Sequence, residues 1–372
     1  MAGELQKRFV GCMILGLVLF QPSLFAATVK AAETKPKQDV PAQGSLAIVR
    51  RDQIIAKAKE ESALRGVLGF EVGSIRAIKE GFAKKYPFIK TDLSEISGTD
   101  AAQRFLLELK GGRSDWDIAH MSTDFHNDYL PYLEKLDLRA MAEKGILQIP
   151  PAMISSRDRN ALAASSIVDV AAYNKKLLPA GQIPKSWGDF LEPEYRGRKF
   201  AVDIRPLGLA GLVPAMGQEW VMNFARSVKA QEPIWVNGST RGLTAMASGD
   251  FPLFMGTYYH SVIRMQKKGA DMLEPLPLQP VPVRLLAAHA IVKGSKHPHA
   301  ALLFLEYIAS PEAQKLLDEL EPLKSSIYSP GAKLEQLVRG KKVSVVDWDH
   351  IDKMGTYMKQ ISEAYGFPIG TK

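Results

Sequence analysis

The stretch "MGTYYHSVIR", Met255–Arg264, sets two adjacent phenols and an imidazole where an apolar run gives way to a helical pattern. A phenolate is a hard oxygen donor suited to a highly charged cation, while a neutral phenol donates a hydrogen bond to an anionic or polar solute. Tyr258 and Tyr259 are therefore candidate ligand residues under either chemistry, and as helical neighbours they cannot both point into the core. Thr257 reads as the helix cap, with the two tyrosines in the first turn and His260 facing solvent. Arg205, in "AVDIRPLGLAG", follows an apolar strand and precedes Pro206 and Gly208, where a ligand loop belongs. Its planar fork matches carboxylate, phosphonate or phosphate, or else pairs with an acid at the surface.

Helix starts after Gly73-Ser74, Gly98-Thr99, Gly238-Ser239 and Gly256-Thr257 present unpaired N–H groups and partial positive charge. Singly, these are ordinary N-caps; converging on one cleft, they form a site for an oxygen-rich ligand, which brings in Ser74, Gly98, Thr99, Ser239 and Thr240. His297 and His299 flank Pro298 and read as a capped surface turn rather than a metal pair. Asp169, inside an apolar strand, is either a hinge residue or an edge carboxylate. No GxSxG elbow, HExxH helix or GxxxxGK loop occurs, so no catalytic constellation is legible.

The elements that must position these residues alternate. Beyond residue 45 come a helix, the strand "GVLGFE", a helix from Ser74 to Tyr86, the strand "FIKTDLSEI", the helix "TDAAQRFLLELKGG" and the strand "DIAHMS". Later strands are "SSIVDVAAYN", "KFAVDI", "IWVN" and "FPLFMG", with a helix from Ser239 to Ala247. This order predicts a parallel α/β sheet with ligands at the carboxyl ends of its strands. "LEPLPLQPVPVRLLAAHAIVKG" is too rich in proline for a central strand until Val283 and suits a hinge.

At 372 residues the chain suits two lobes, and 46% hydrophobic against 24% charged residues predicts that most of it folds. Lys7 and Arg8, then the apolar block Phe9–Phe20, then small residues, read as a secretory signal peptide, with an uncleaved anchor as the rival reading. Cys12, the only cysteine, lies inside it, so the mature chain has neither disulfide nor thiolate. The net charge of +8 comes from interleaved lysines and acids with no basic-aromatic platform, which excludes nucleic acid as a partner.

Three segments carry a resemblance. "KGSKHPHAALLFLEYIASPEAQKLL" resembles the signature near the end of periplasmic substrate-binding proteins of ABC importers, type II fold. "GFAKKYPFIKTDLSEISGTDAAQRFLLELKGGRSDWDIAHMS" looks like the family's opening and "AAYNKKLLPAGQIPKSWGDFLEPEYRGRKFAV" its middle; together the likeness spans about Leu46 to Pro330. It implies an α/β protein of two lobes joined by hinge strands, closing over a small solute that is handed to a permease in the inner membrane. The lobes are expected at 45–170 with 283–330, and at 171–282, after a signal peptide at 1–31 and a linker at 32–44, with an extension at 331–372 read as a strand and helix packed back on a lobe.

The tyrosine pair is similar to the ferric-ion-binding branch, whose members add a histidine and a glutamate from the first lobe. Here Glu71 stands without a histidine at the first place, and Ser122 falls near the glutamate at the second, with His120 and Asp124 as substitutes. The resemblance thus implies a monomeric periplasmic solute-binding protein with no cofactor and no catalysis, for a small anionic or polar organic solute. The alternative is Fe3+ as transported ligand on Tyr258 and Tyr259. A sensor or scavenger uncoupled from a permease, and a secreted enzyme, are the remaining readings.

Overall fold

A computed structural model describes residues 50–112, 114–121, 125–320 and 323–367. The predicted signal peptide, Ser122 and Asp124 lie outside them. Strands β1 (Ala63–Leu68), β2 (Lys90–Glu95), β3 (Ile118–Met121), β4 (Ala161–Asn174), β5 (Ala201–Asp203), β6 (Ile234–Val236), β7 (Leu253–Tyr258), β8 (Leu273–Leu276), β9 (Val281–Ile291) and β10 (Val343–Val346) join in the order β2-β1-β3-β9-β4-β7-β5-β6. β10 adds to β9 and β8 to β4. The outer pairs, β1 with β2 and β5 with both β6 and β7, are parallel, as the helix–strand alternation predicts; β9 and β4 run antiparallel between them.

β4 and β9 carry the architecture. The first part of β4, Ala161–Val168, pairs with β9, while its end, Asp169–Asn174, turns to β7 and β8. One continuous strand therefore serves two half-sheets. Its residues are almost all buried, which is why it reads as an unbroken apolar run rather than an alternating one. The half-sheet with β1–β3 packs on Ile78, Phe82 and the wholly buried helix Pro298–Ala309. The half-sheet with β5–β7 packs on Phe190, Phe200 and the helix Gln218–Ala230, which the C-terminal helix Met354–Tyr365 covers. That helix and β10 match the strand and helix expected of the C-terminal extension.

Three local expectations change. β9 starts at Val281, so Pro282 does lie in a strand; β4 joins β9 only from Val283, which leaves Pro282 with β10 as its single neighbour. Tyr258 ends β7 and caps the helix Tyr259–Lys267 instead of standing in its first turn, because it pairs with Asp169 across the ladder. His299 is buried rather than on a surface turn: its Nδ1 meets Glu61 Oε1 at 2.6 Å, and Glu61 accepts the backbone N–H groups of His299 and Ala300, capping that helix from a distant one. Among the described residues no helix is long and apolar enough to cross a membrane.

Candidate functional site

Register assembles the site. Arg284 of β9 stands opposite Ile167 of β4, Asp169 lies two residues further along β4, and Asp169 stands opposite Tyr258 of β7. Side chains two apart on a strand, and those directly opposite, share a face, so Arg284, Asp169 and Tyr258 face one another where the half-sheets meet. Arg284 Nε is 3.3 Å from Asp169 Oδ2, and its guanidinium carbon is 5.5 Å from the Tyr258 ring centre.

Burial decides the electrostatics. It raises the Asp169 carboxyl above the usual range, with Arg284 opposing it. The Arg284 guanidinium resists burial through Asp169 and Tyr258 and stays firmly charged. The Tyr258 phenol is pushed up by burial and by the Asp169 charge. Among the described residues Nη2 of Arg284 has no hydrogen-bond partner, an unfilled charged donor in a place where most such donors are satisfied. Arg284 lines a cavity of about 590 Å3, together with Asn127, Asp128 and Leu207 and residues of the C-terminal segment around Asp352.

Around this trio the second half gathers several expected residues. Gly208 approaches so closely that a Cβ there would sit 3.2 Å from Asp169 Oδ1. Arg205 is held by Asp203, with Nη2 3.1 Å from Oδ2, and Asp203 also accepts the backbone N–H of Gly238 at the start of the helix Ser239–Ser248. Arg205 thus takes the acid-paired form, half-exposed beside a much smaller cavity of about 20 Å3. Ser239 is hydrogen-bonded to Thr257, while the Thr240 carbonyl accepts from the Thr244 hydroxyl. Tyr259 is partly buried against the apolar cluster that includes Leu243 and Phe254. His260 does not face solvent: its ring stacks on Tyr258 at 5.4 Å, and burial pushes it down to about 4.

First-half candidates are more scattered. Glu71 caps the helix Val72–Lys85 at the surface, Ser74 is buried in that helix, and Gly98 and Thr99 open the helix Thr99–Lys110. His120 of β3 pairs with His289 of β9, ring centres 5.3 Å apart, far into the sheet. Among the described residues no group of three or more His, Cys, Asp or Glu is placed to hold a metal ion.

Arg284 and the cavity wall from the C-terminal segment are what reading by motif missed. Two apolar strands, "SIVDVAAYN" and "VPVRLLAAHAIV", each broken by one charge of opposite sign, are the signal that could have paired them.

A family model described as bacterial extracellular solute-binding protein matches residues 125–354, more than half of the chain. Similar solved structures include a Trichodesmium protein, IdiA or FutA, in complex with iron and citrate, at 17% identity and TM-score 0.66, covering 81% of this chain and 99% of that one. A Bordetella ferric binding protein matches at 18% identity and TM-score 0.64, covering 82% and 100%. Mannheimia haemolytica ferric iron-binding protein A, in an open conformation, matches at 17% and 0.64, covering 83% and 100%. At these identities the likeness carries the fold, a type II periplasmic binding protein. No curated protein sequence matches the chain.

Proposed function

Because this chain belongs to the bacterial extracellular solute-binding proteins, and is the solute-binding component of an ABC importer, we propose that its solute is a small anion or a polar organic molecule with an anionic group. The two half-sheets act as lobes, 45–170 with 283–330 against 171–282, hinged on β4 and β9. The observation that carries the reading is Arg284, a buried guanidinium on the cavity wall with Nη2 unpaired. A charged donor withheld from water and left unfilled is costly, and a carboxylate or phosphate oxygen would fill it. Tyr258 adds a phenolic donor on the same face, while Arg205 and Gly208 line the separate, smaller cavity of the second half. Ligand contacts to both lobes favour the closed form only as far as the solute prefers closed over open. The family is one of binding proteins, and delivery to an inner-membrane permease from the periplasm, after removal of the signal peptide, completes the proposal.

A second reading is ferric ion on the phenolates of Tyr258 and Tyr259. Two adjacent phenols favour it, as do the iron-binding relatives of like fold. Against it, Tyr259 is packed against a buried apolar cluster, and a fixed cation 5.5 Å from the Tyr258 ring repels a trivalent ion. Native mass spectrometry of the mature protein as purified, with visible absorption after ferric addition, separates the two. The expected result is an anionic organic or inorganic mass that disappears in Arg284→Gln, with no charge-transfer band. An iron mass with a tyrosinate band lost in Tyr258→Phe would replace this reading with the ferric one.

A further inference from the structure

The wall of the 590 Å3 cavity supplied by Val346, Ile351, Asp352, Met354, Gly355 and Met358 comes from the C-terminal segment. This segment changes sides within a short span. β10 joins β9; Trp348 is then buried in the first-lobe core, in the cluster that includes Tyr129 and Leu133, its ring centre 5.4 Å from that of His126. A few residues later Met354, Tyr357 and Ile361 are buried in the second-lobe core with Val221 and Phe224. Between the two anchors, Arg157 Nη1 donates to Asp352 Oδ2 at 2.6 Å. Arg157 is itself steadied by Asn127 and Asp158 at 3.3 Å each, and Asp158 by His126 at 3.3 Å.

We propose that the C-terminal segment is a third connection between the lobes, and that the Arg157–Asp352 pair is a clasp holding it along the cleft and biasing the lobes toward the closed form. The inference rests on reading this cavity as the solute cleft. The two side chains are 32% and 28% exposed, so the pair is neither fully solvated nor locked in the core. Such a pair shifts an equilibrium by roughly two- to five-fold, enough to bias an opening without preventing it. An ordinary surface pair joins groups on one body, whereas this one ties a first-lobe loop to the span between two anchors on different cores.

The test is hydrogen exchange by mass spectrometry and small-angle scattering on the mature chain without added solute. It compares Arg157→Gln, Asp352→Asn and the swapped pair Arg157→Asp with Asp352→Arg. Each single variant should exchange the amides of residues 347–353 roughly two- to five-fold faster and enlarge the radius of gyration, and the swapped pair should return both toward the parent. Undiminished protection of the β4 amides shows that a variant is folded. Single variants indistinguishable from the parent, or a swapped pair as open as they are, would overturn the clasp. Because no solute is used, the outcomes separate: if solute binding proves indifferent to Arg284→Gln while the single variants still open, the solute reading fails and the clasp stands.

Discussion

At the scale of the residue, Asp169 and Arg284 are unequal partners. A buried carboxylate that loses its cation can take up a proton, and burial already raises Asp169; an arginine has no such recourse. Asp169→Ala strands a buried cation and should destabilise the fold by about 3–5 kcal/mol, the range for breaking a buried pair from one side. Arg284→Leu, which leaves a carboxyl able to neutralise itself, should cost about 1–3 kcal/mol. Urea midpoints of the two variants at pH 7 measure the difference, and equal losses would mean that Asp169 is not the neutralisable member. Arg205 shows what could be read beforehand at this scale. Its place after a strand was legible, but its engagement by Asp203 was not, since an acid two residues away can turn to either face.

At the scale of the element, the strand β9 decides which groups meet. It sets His289 opposite His120 of β3, with ring centres 5.3 Å apart and Phe70 beside His289, and among the described residues no carboxylate contributes to the titration of either ring. Among the described residues Nδ1 of His120 and both ring nitrogens of His289 lack partners. Burial pushes His120 down to about 4 and His289 well below its ordinary value. A histidine depressed in the folded state takes its proton more readily when unfolded, so stability is intact near pH 7 and falls as pH drops below about 6.5, until the folded value is reached. From His120 alone the loss by pH 5 is about 2 kcal/mol. His289→Leu should flatten the fall in thermal midpoint between pH 7 and pH 5; a slope equal to the parent's would remove the pair from the account. That β4 is a strand was legible because it is a long apolar run, and β9 only from Val283, past its prolines. The meeting of His120 with His289 was not, since it depends on register between segments far apart in the chain, which periodicity does not carry. The same limit hid Arg284 and put Tyr258 one step too far into its helix.

At the scale of the whole molecule, two cores share one backbone. Proteins of two lobes often melt in two steps, because an interface between domains is smaller than a core. Here β4 passes through both half-sheets without a break, β9 pairs with it up to the junction, and the C-terminal segment buries Trp348 on one side and Met354 on the other. Unfolding one lobe would strip half of β4 of its ladder and expose the Asp169–Arg284 pair, so neither core can be lost cheaply alone. The five tryptophans divide between the lobes: Trp116 and Trp348 lie with the first core, Trp187, Trp220 and Trp235 with the second. With 5-fluorotryptophan incorporated, the five fluorine resonances should lose their native intensity at one common urea midpoint. A solute bound across the cleft should then move all five together, by the amount its concentration and affinity dictate. Separate midpoints for the two sets would mean that β4 behaves as a linker and that each lobe is its own folding unit.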